Sequence, residues 1–471
     1  MPFARLPRPE ALPSLANAAS IPFWLDDPAR PEPAAPLTCS TTADLVIVGA
    51  GFTGLWTALL AKESDPSRDV VLLEAGETAS GASGRNGGFV NASLTHGFHN
   101  GLERWPNELA ALVALGHANL DAIEETVGRY TIECDLLHSG ELTAATEPYQ
   151  MQVLRATPEM AAPYGEKFEW LEGEQMRALV HSPTYLGALY DPTVIMLNPA
   201  RLAWGLRRAC LDSGVRLYEH TAATGLEQEE KGMRVRTPHG QVRTRGVALA
   251  TNAFPPLLKR LSYYILPVYD YVLVTEPLTS AQWESIGWKG RQGVGDAGNL
   301  FHYYRTTEDG RILWGGYDAV YHWNNGFGTH LENNMEAFGR LADHFFQTFP
   351  QLEGLRFTHA WGGAIDTSSR FSVLWGTAHR GRTAYALGYT GLGVGASRFG
   401  AQVMLDLLDG KKNERTRLKM VRSKPMPFPP EPIRSVVIRV TQRAMEQADH
   451  DQGRRSLWLR LLDALGLGFD S

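Results

Sequence analysis

Asp44-Leu45-Val46-Ile47-Val48-Gly49-Ala50-Gly51-Phe52-Thr53-Gly54 is the stretch that decides the fold. Its first five residues are almost all apolar, as expected for a strand buried on both faces of a parallel sheet. Gly49-x-Gly51-x-x-Gly54 follows at once, and helical spacing runs on to Lys62 with Leu55, Leu59 and Leu60 inward. Val70-Val71-Leu72-Leu73 is a second buried strand, closed by Glu74, so the segment reads as a β-α-β unit. Each glycine does something different in such a unit. Gly49 permits the tight turn, Gly51 lets the backbone approach a pyrophosphate, and Gly54 lets helix and strand pack closely. The helix N-terminus, opening at Phe52 and Thr53, presents N–H groups and a positive dipole end to phosphates. Glu74, about twenty residues past the loop, is placed with Ala75 to meet the ribose hydroxyls and disfavours a 2′-phosphate.

The next segment separates the possible dinucleotides. Ser80-Gly81-Ala82-Ser83-Gly84-Arg85-Asn86-Gly87-Gly88 combines small residues, one cation and several donors. Such a chain can follow a pyrophosphate and then pass close to a flat ring system. A nicotinamide enzyme would continue directly into a helix, so FAD is the expected cofactor.

These residues resemble the D-amino-acid-oxidase superfamily of FAD-dependent amine and amino-acid oxidoreductases, and within it the gamma-glutamylputrescine oxidase branch. The likeness spans most of the chain. It takes in Phe23-Trp24-Leu25-Asp26, Ala248-Leu249-Ala250-Thr251-Asn252-Ala253-Phe254, Tyr303-Tyr304-Arg305, Trp361-Gly362-Gly363-Ala364-Ile365-Asp366 and Gly388-Tyr389-Thr390-Gly391-Leu392-Gly393-Val394.

The resemblance implies an α/β fold: a Rossmann-type FAD-binding domain of the glutathione-reductase kind with an antiparallel-sheet substrate domain inserted. The corresponding boundaries are 1–42 for an extended lead-in, 43–100, 195–262 and 355–410 for the FAD-binding domain, 101–194 and 263–354 for the substrate domain, and 411–471 for a proline-rich spacer and helical tail. It also implies that Gly49, Gly51, Thr53 and Glu74 hold the ADP part. Ser83, Gly84, Arg85 and Asn86 would line the pyrophosphate, Gly87 and Gly88 the approach to the flavin. Ala223 would offer backbone to adenine. Thr251, Asn252 and Gly363 would complete the cradle, and Gly391, Leu392, Gly393 and Val394 would meet the flavin edge, followed by a helix from near Gly395.

Two departures bear on substrate. Ile365 stands where amino-acid oxidases of this superfamily place an arginine for the substrate carboxylate, with Asp366 beside it. An apolar side chain cannot form that bidentate pair. Leu392 replaces a histidine usual in the branch. The expected substrate is therefore a small amine, oxidised at its C–N bond with oxygen as acceptor. Tyr303, Tyr304 and Asp366 are the candidate catalytic residues, and Arg305, Trp361, Ile365, Arg370 and Tyr269 the candidate substrate contacts. The alternative is a dehydrogenase acting on an amino acid or N-methylated amino acid and passing electrons to a quinone or an electron-transfer protein. No cysteine lies near Gly388–Val394, so the FAD is expected to be non-covalent. No Lys or Arg occurs from Leu261 to Trp288, which leaves no obvious counterpart of the oxygen-activating lysine of sarcosine oxidases.

Composition narrows the rest. A net charge of -6 over 471 residues argues against a nucleic-acid partner. Cys39, Cys134 and Cys210 match no metal or disulfide spacing and suggest buried thiols in a reducing, cytoplasmic setting. The first twenty residues carry Arg5 and Arg8 but no apolar run of signal-peptide type, and no stretch approaches the ~20 apolar residues of a membrane span. Leu457–Leu465 is expected to be an amphipathic helix packed on the body.

Overall fold

A computed structural model describes residue 3 and residues 6–467. Arg5 and residues 468–471, parts of the predicted lead-in and tail, lie outside the described residues. The strand Thr41–Val48 forms the centre of a parallel sheet. Gly240–Leu249 pairs with it on one side and Val70–Leu73 on the other. Arg216–Tyr218 continues the sheet beyond Val70–Leu73, and Thr383–Leu387 beyond Gly240–Leu249. Leu374–Ala378 closes that edge antiparallel. Leu45, Val46 and Ile47 are fully buried, as a strand covered on both faces requires.

The helix after the glycine loop runs Phe52–Ser64 and packs against a second helix, Gly393–Leu408, on one face of this sheet. The second helix starts at Gly393, two residues before the expected Gly395. An antiparallel pair, Gly225–Gln228 and Met233–Thr237, hangs from Gly240–Leu249. The C-terminal ends of the parallel strands point to one crevice, where ligands of open α/β sheets bind.

A nine-stranded sheet forms the second layer. Its longest pair is Leu266–Thr275 with Phe357–Thr367, antiparallel along both strands, the second of them at the sheet edge. Phe357–Thr367 was expected in the FAD-binding part, but its pairing places it in this second sheet. One face of the sheet looks into the crevice; the other is covered by the helix Met335–Thr348, whose Phe338, Leu341 and Phe345 are buried. The aromatic stretch Phe301–Tyr317 is the hairpin His302–Thr306 and Ile312–Gly316.

After the extended stretch around Pro425–Pro430 come two helices, Ile433–His450 and Leu457–Ala464. Both pack on the body. Cys134 and Cys210 are buried as expected, whereas Cys39 is exposed. No helix among the described residues is long and apolar enough to cross a membrane.

Candidate active site

The crevice between the two sheets is a cavity of about 730 Å³, within the roughly 300–1,000 Å³ typical of small-molecule sites. At its parallel-sheet end the wall is mostly backbone. Gly49 turns at φ +102°, and a Cβ there would run into the Ala250 carbonyl. Gly51 is bare because Ser83 Oγ would lie 2.9 Å from a Cβ, and that same Oγ accepts from Phe52 N at 2.9 Å. Gly54 does not line the cavity; a Cβ there would collide with the Gly49 carbonyl, so it sets the helix against the strand. The Glu74 carboxylate accepts from Ala50 N (2.7 Å) and Gly76 N (2.9 Å) and borders the cavity beside Ala75. Burial raises its pKa.

The Ser83–Gly88 segment is braced from behind by side chains of the N-terminal lead-in and of the second sheet. Trp24 Nε1 donates to the Asn86 carbonyl (2.7 Å) and Trp361 Nε1 to the Arg85 carbonyl (3.0 Å). Arg305 Nη1 donates to the carbonyls of Gly88 (3.2 Å) and Leu197 (2.7 Å). Asn86 ties the segment to itself through Ala82, Ser83 and Gly88. Gly84 turns away from the cavity against Leu25. Arg85 borders the cavity, with its guanidinium on the Gly362 carbonyl (3.0 Å) and Glu332 (2.6 Å). Gly87 leaves room for the Tyr303 ring, 2.9 Å from where its Cβ would stand.

The far end is closed by Gly388–Val394. Asp366 accepts from Gly388 N (2.6 Å) and Tyr389 N (3.1 Å), which holds this turn, and burial pushes its carboxyl up to about 7. Thr53 Oγ1 donates to Tyr389 Oη at 2.9 Å, joining the first glycine loop to the closing one. His96 Nε2 donates to the Thr390 carbonyl at 2.8 Å, and burial lowers its pKa. Gly391, Leu392, Gly393 and Val394 line the cavity, as do Ala223, Thr251, Asn252 and Gly363.

The antiparallel wall is made by alternate side chains. Val268, Asp270 and Val272 face the cavity, so Tyr269 and Tyr271 face away. Their hydroxyls donate to the carbonyls of Gly328 (3.2 Å) and Leu331 (3.0 Å). Tyr303 faces in and donates to Asp270 Oδ2 at 2.6 Å. Its ring crosses over Gly315, the residue paired with both Tyr303 and Val272, where any side chain would block it. Burial raises Asp270 to about 7 and Tyr303 well above its ordinary value.

Several sequence expectations are corrected by this geometry. Tyr304, adjacent to Tyr303, necessarily points the other way and bonds Tyr185 Oη (2.6 Å) in the core. Tyr269 is on that same far face. Trp361 and Arg305 stand behind the Ser83–Gly88 segment rather than in the cavity. Arg370 is buried on the Ser423 carbonyl and hydroxyl (3.1 Å each) and stacks on Trp105. Burial lowers both arginines to about 10. Ile365 does line the cavity. Tyr317, one of the aromatics of the stretch expected to form the antiparallel sheet, also lines it, as do Asp270, His96, Glu141 and Asp318, which sequence reading did not single out. For Asp270, the alternation of Val268, Asp270 and Val272 was the available signal.

A profile of the family described as FAD dependent oxidoreductase matches residues 44–407. The chain belongs to this family. It is 32% identical over 383 residues to the gamma-glutamylputrescine oxidoreductase of Escherichia coli, covering 79% of this chain and 84% of that one. It is 28% identical over 390 residues to a probable oxidoreductase, OrdL, of Haemophilus influenzae, covering 80% and 85%. In fold it is similar to glycine oxidase from Geobacillus kaustophilus, with a TM-score of 0.66 at 20% identity, covering 82% of this chain and 99% of that one.

The cavity suits FAD on its own geometry. It is a glycine-lined cradle whose wall packs so closely that Cβ atoms at Gly49, Gly51 and Gly87 would meet the Ala250 carbonyl, Ser83 Oγ and the Tyr303 ring. The helices from Phe52 and Gly393 both begin at it, and neither is capped by the side chain of its own N-cap residue, Gly51 or Leu392, although Ser83 Oγ takes the Phe52 N–H. The first offers its N-terminus to phosphates, the second to negative charge at the flavin end.

Proposed function

We propose that this enzyme oxidises the C–N bond of a small amine to an imine, which water converts to aldehyde and ammonia, while oxygen is reduced to hydrogen peroxide. Bound FAD, held non-covalently, supplies the two-electron oxidation. The chain itself positions the amine, excludes water and manages one proton.

The charge of the cavity carries this reading. Arg85 is the only Lys or Arg among the described residues that line it, and Glu332 already pairs with it. Asp270, Glu141 and Asp318 stand on the same walls. A carboxylate placed there would be desolvated without a cation, which costs several kcal/mol. An amine meets the opposite field. Asp270, at about 7 and hydrogen-bonded to Tyr303, is set to take the proton from an arriving ammonium at Oδ2, leaving the neutral amine needed for oxidation. Glu141, also raised to about 7 by burial, adds acceptor character to the wall. Relatives named for gamma-glutamylputrescine and for sarcosine are in keeping with a C–N substrate.

The test is kcat/KM for several amino acids and their decarboxylated amines, with peroxide measured at aerobic turnover. The amines should win in the wild type. Ile365→Arg should restore amino-acid turnover relative to amine by roughly 10–100-fold, the worth of hydrogen bonds to a charged group. A wild type that prefers amino acids overturns the reading. Turnover with a quinone analogue and no peroxide moves it to a dehydrogenase.

A further inference from the structure

We infer that the C-terminal helical segment is the substrate-selecting roof of the cavity, with Ile438, Thr441 and Met445 limiting the length of an amine's tail and Asp449 latching the roof down. The family match ends at residue 407, and the helix Ile433–His450 lies wholly beyond it. Val437, Ile438, Thr441, Gln442 and Met445 nevertheless line the same cavity as Gly49 and Gly391. Their spacing places them on one face of the helix. None of the five is charged, so this face suits the unreactive tail of a substrate rather than its nitrogen.

The helix is fastened to loops that are themselves cavity wall. Asp449 accepts four hydrogen bonds, from Asn299 N (3.0 Å), Asn299 Nδ2 (2.6 Å), Leu300 N (3.2 Å) and Tyr149 Oη (3.0 Å). Asn299 and Leu300 border the cavity. Gln442 donates to the carbonyl of Ala319, another lining residue. At the helix start Glu431 accepts from Tyr321 Oη (2.7 Å), and Arg434 donates to Asn325 Oδ1 (2.8 Å). These contacts fix the roof at both ends, so its inner side chains hold a defined height over the cavity. An element appended outside the shared fold can thus change substrate size without altering the cofactor cradle.

Because the tail-length argument rests on the amine reading, the test has two independent arms. The first measures kcat/KM for straight-chain primary amines of increasing length. Met445→Ala should raise the long-to-short ratio about tenfold, the effect of a methylene-sized change in an apolar pocket. Ile438→Trp should lower it by a similar factor. General loss of structure would not move the two in opposite directions. The second arm measures quenching of bound FAD fluorescence by iodide, which needs no substrate. Asp449→Ala should increase quenching severalfold, and Asp449→Asn, which keeps one acceptor oxygen, should increase it less. Unchanged ratios in both size variants, or unchanged quenching in Asp449→Ala, overturn the proposal. If the wild type oxidises no amine, the amine reading fails while the quenching arm still decides the roof.

Discussion

The two walls of the cavity are built on opposite principles. On the parallel-sheet side the wall is backbone, and side chains serve mainly to hold that backbone: Ser83 on Phe52, Glu74 on Ala50 and Gly76, Asp366 on Gly388 and Tyr389. On the antiparallel side the backbone is consumed by strand pairing, and the wall consists of whichever side chains the alternation turns inward. The first surface is generic, since any FAD presents the same phosphates and rings. The second is where this chain can differ from its relatives. Even residues expected to touch substrate serve the first surface, because Trp361 and Arg305 reach across to brace Arg85 and Gly88.

The contrast would break most visibly at Gly54. A Cβ there collides with the Gly49 carbonyl, so helix and strand must part, and such overpacking costs ~1–3 kcal/mol. Gly54→Ala should therefore lose FAD affinity by roughly 10–100-fold, read from flavin absorbance after dialysis and from titration of apoprotein. Wild-type retention would mean that the backbone cradle is more yielding than its geometry implies. No single side-chain change on the antiparallel wall should empty the protein of flavin in this way.

This difference also explains what the sequence could reveal. Glycines at fixed spacing after an apolar run, with Glu74 closing the next strand, point to a nucleotide loop because backbone atoms leave no room for a Cβ at Gly49 or Gly54. Ile365 was legible too, once aligned with a pattern that expects arginine. The inward set of the second sheet was not, because an aromatic-rich stretch does not disclose its phase. Tyr303 and Tyr304 cannot both face one side, yet composition treats them alike. Arg305 and Arg370 illustrate a second limit: a long cation can be solvated, paired or, as here, spent on buried carbonyls. The helix Ile433–His450 was hidden for another reason. Ile433, Val436 and Val440 are exposed, so its apolar residues form no single stripe.

A pH experiment sharpens the contrast on the antiparallel side. Burial holds Asp270, Glu141 and Asp366 each at about 7, above the ~4 of an unfolded carboxyl. Between those values the folded protein binds more protons than the unfolded chain, so stability is greatest at the acid end and falls as pH rises toward 7. Asp270→Asn removes one contributor while keeping an acceptor for Tyr303. The drop in Tm from pH 5 to pH 7.5 should shrink by roughly 2–4 °C. An unchanged drop would show that the Asp270 carboxyl binds its proton no more tightly in the fold than in the unfolded chain, leaving it too weak a base for the proton-accepting role.

The smallest effect is the most discriminating, because it sets two adjacent tyrosines against each other. Tyr303 and Tyr304 share a strand and a residue type and differ in the face they occupy, Tyr304 buried in the core and Tyr303 half-buried at the cavity. Tyr304 donates to or accepts from Tyr185 in the core, so Tyr304→Phe leaves one hydroxyl without its partner and should cost about 1 kcal/mol of stability. Its kcat/KM for the preferred amine should stay within about twofold of wild type, since nothing it touches lines the cavity. Tyr303→Phe removes the donor to Asp270 Oδ2 and should change both the level of kcat/KM and the position of its acid limb. That donor favours the ionised carboxylate, so without it Asp270 should titrate higher and the acid limb should move up in pH. Equal kinetic losses in the two variants would mean that the strand's alternation does not decide which side chains act. A displaced limb in Tyr303→Phe alone would tie the proton-accepting carboxylate to the inward face.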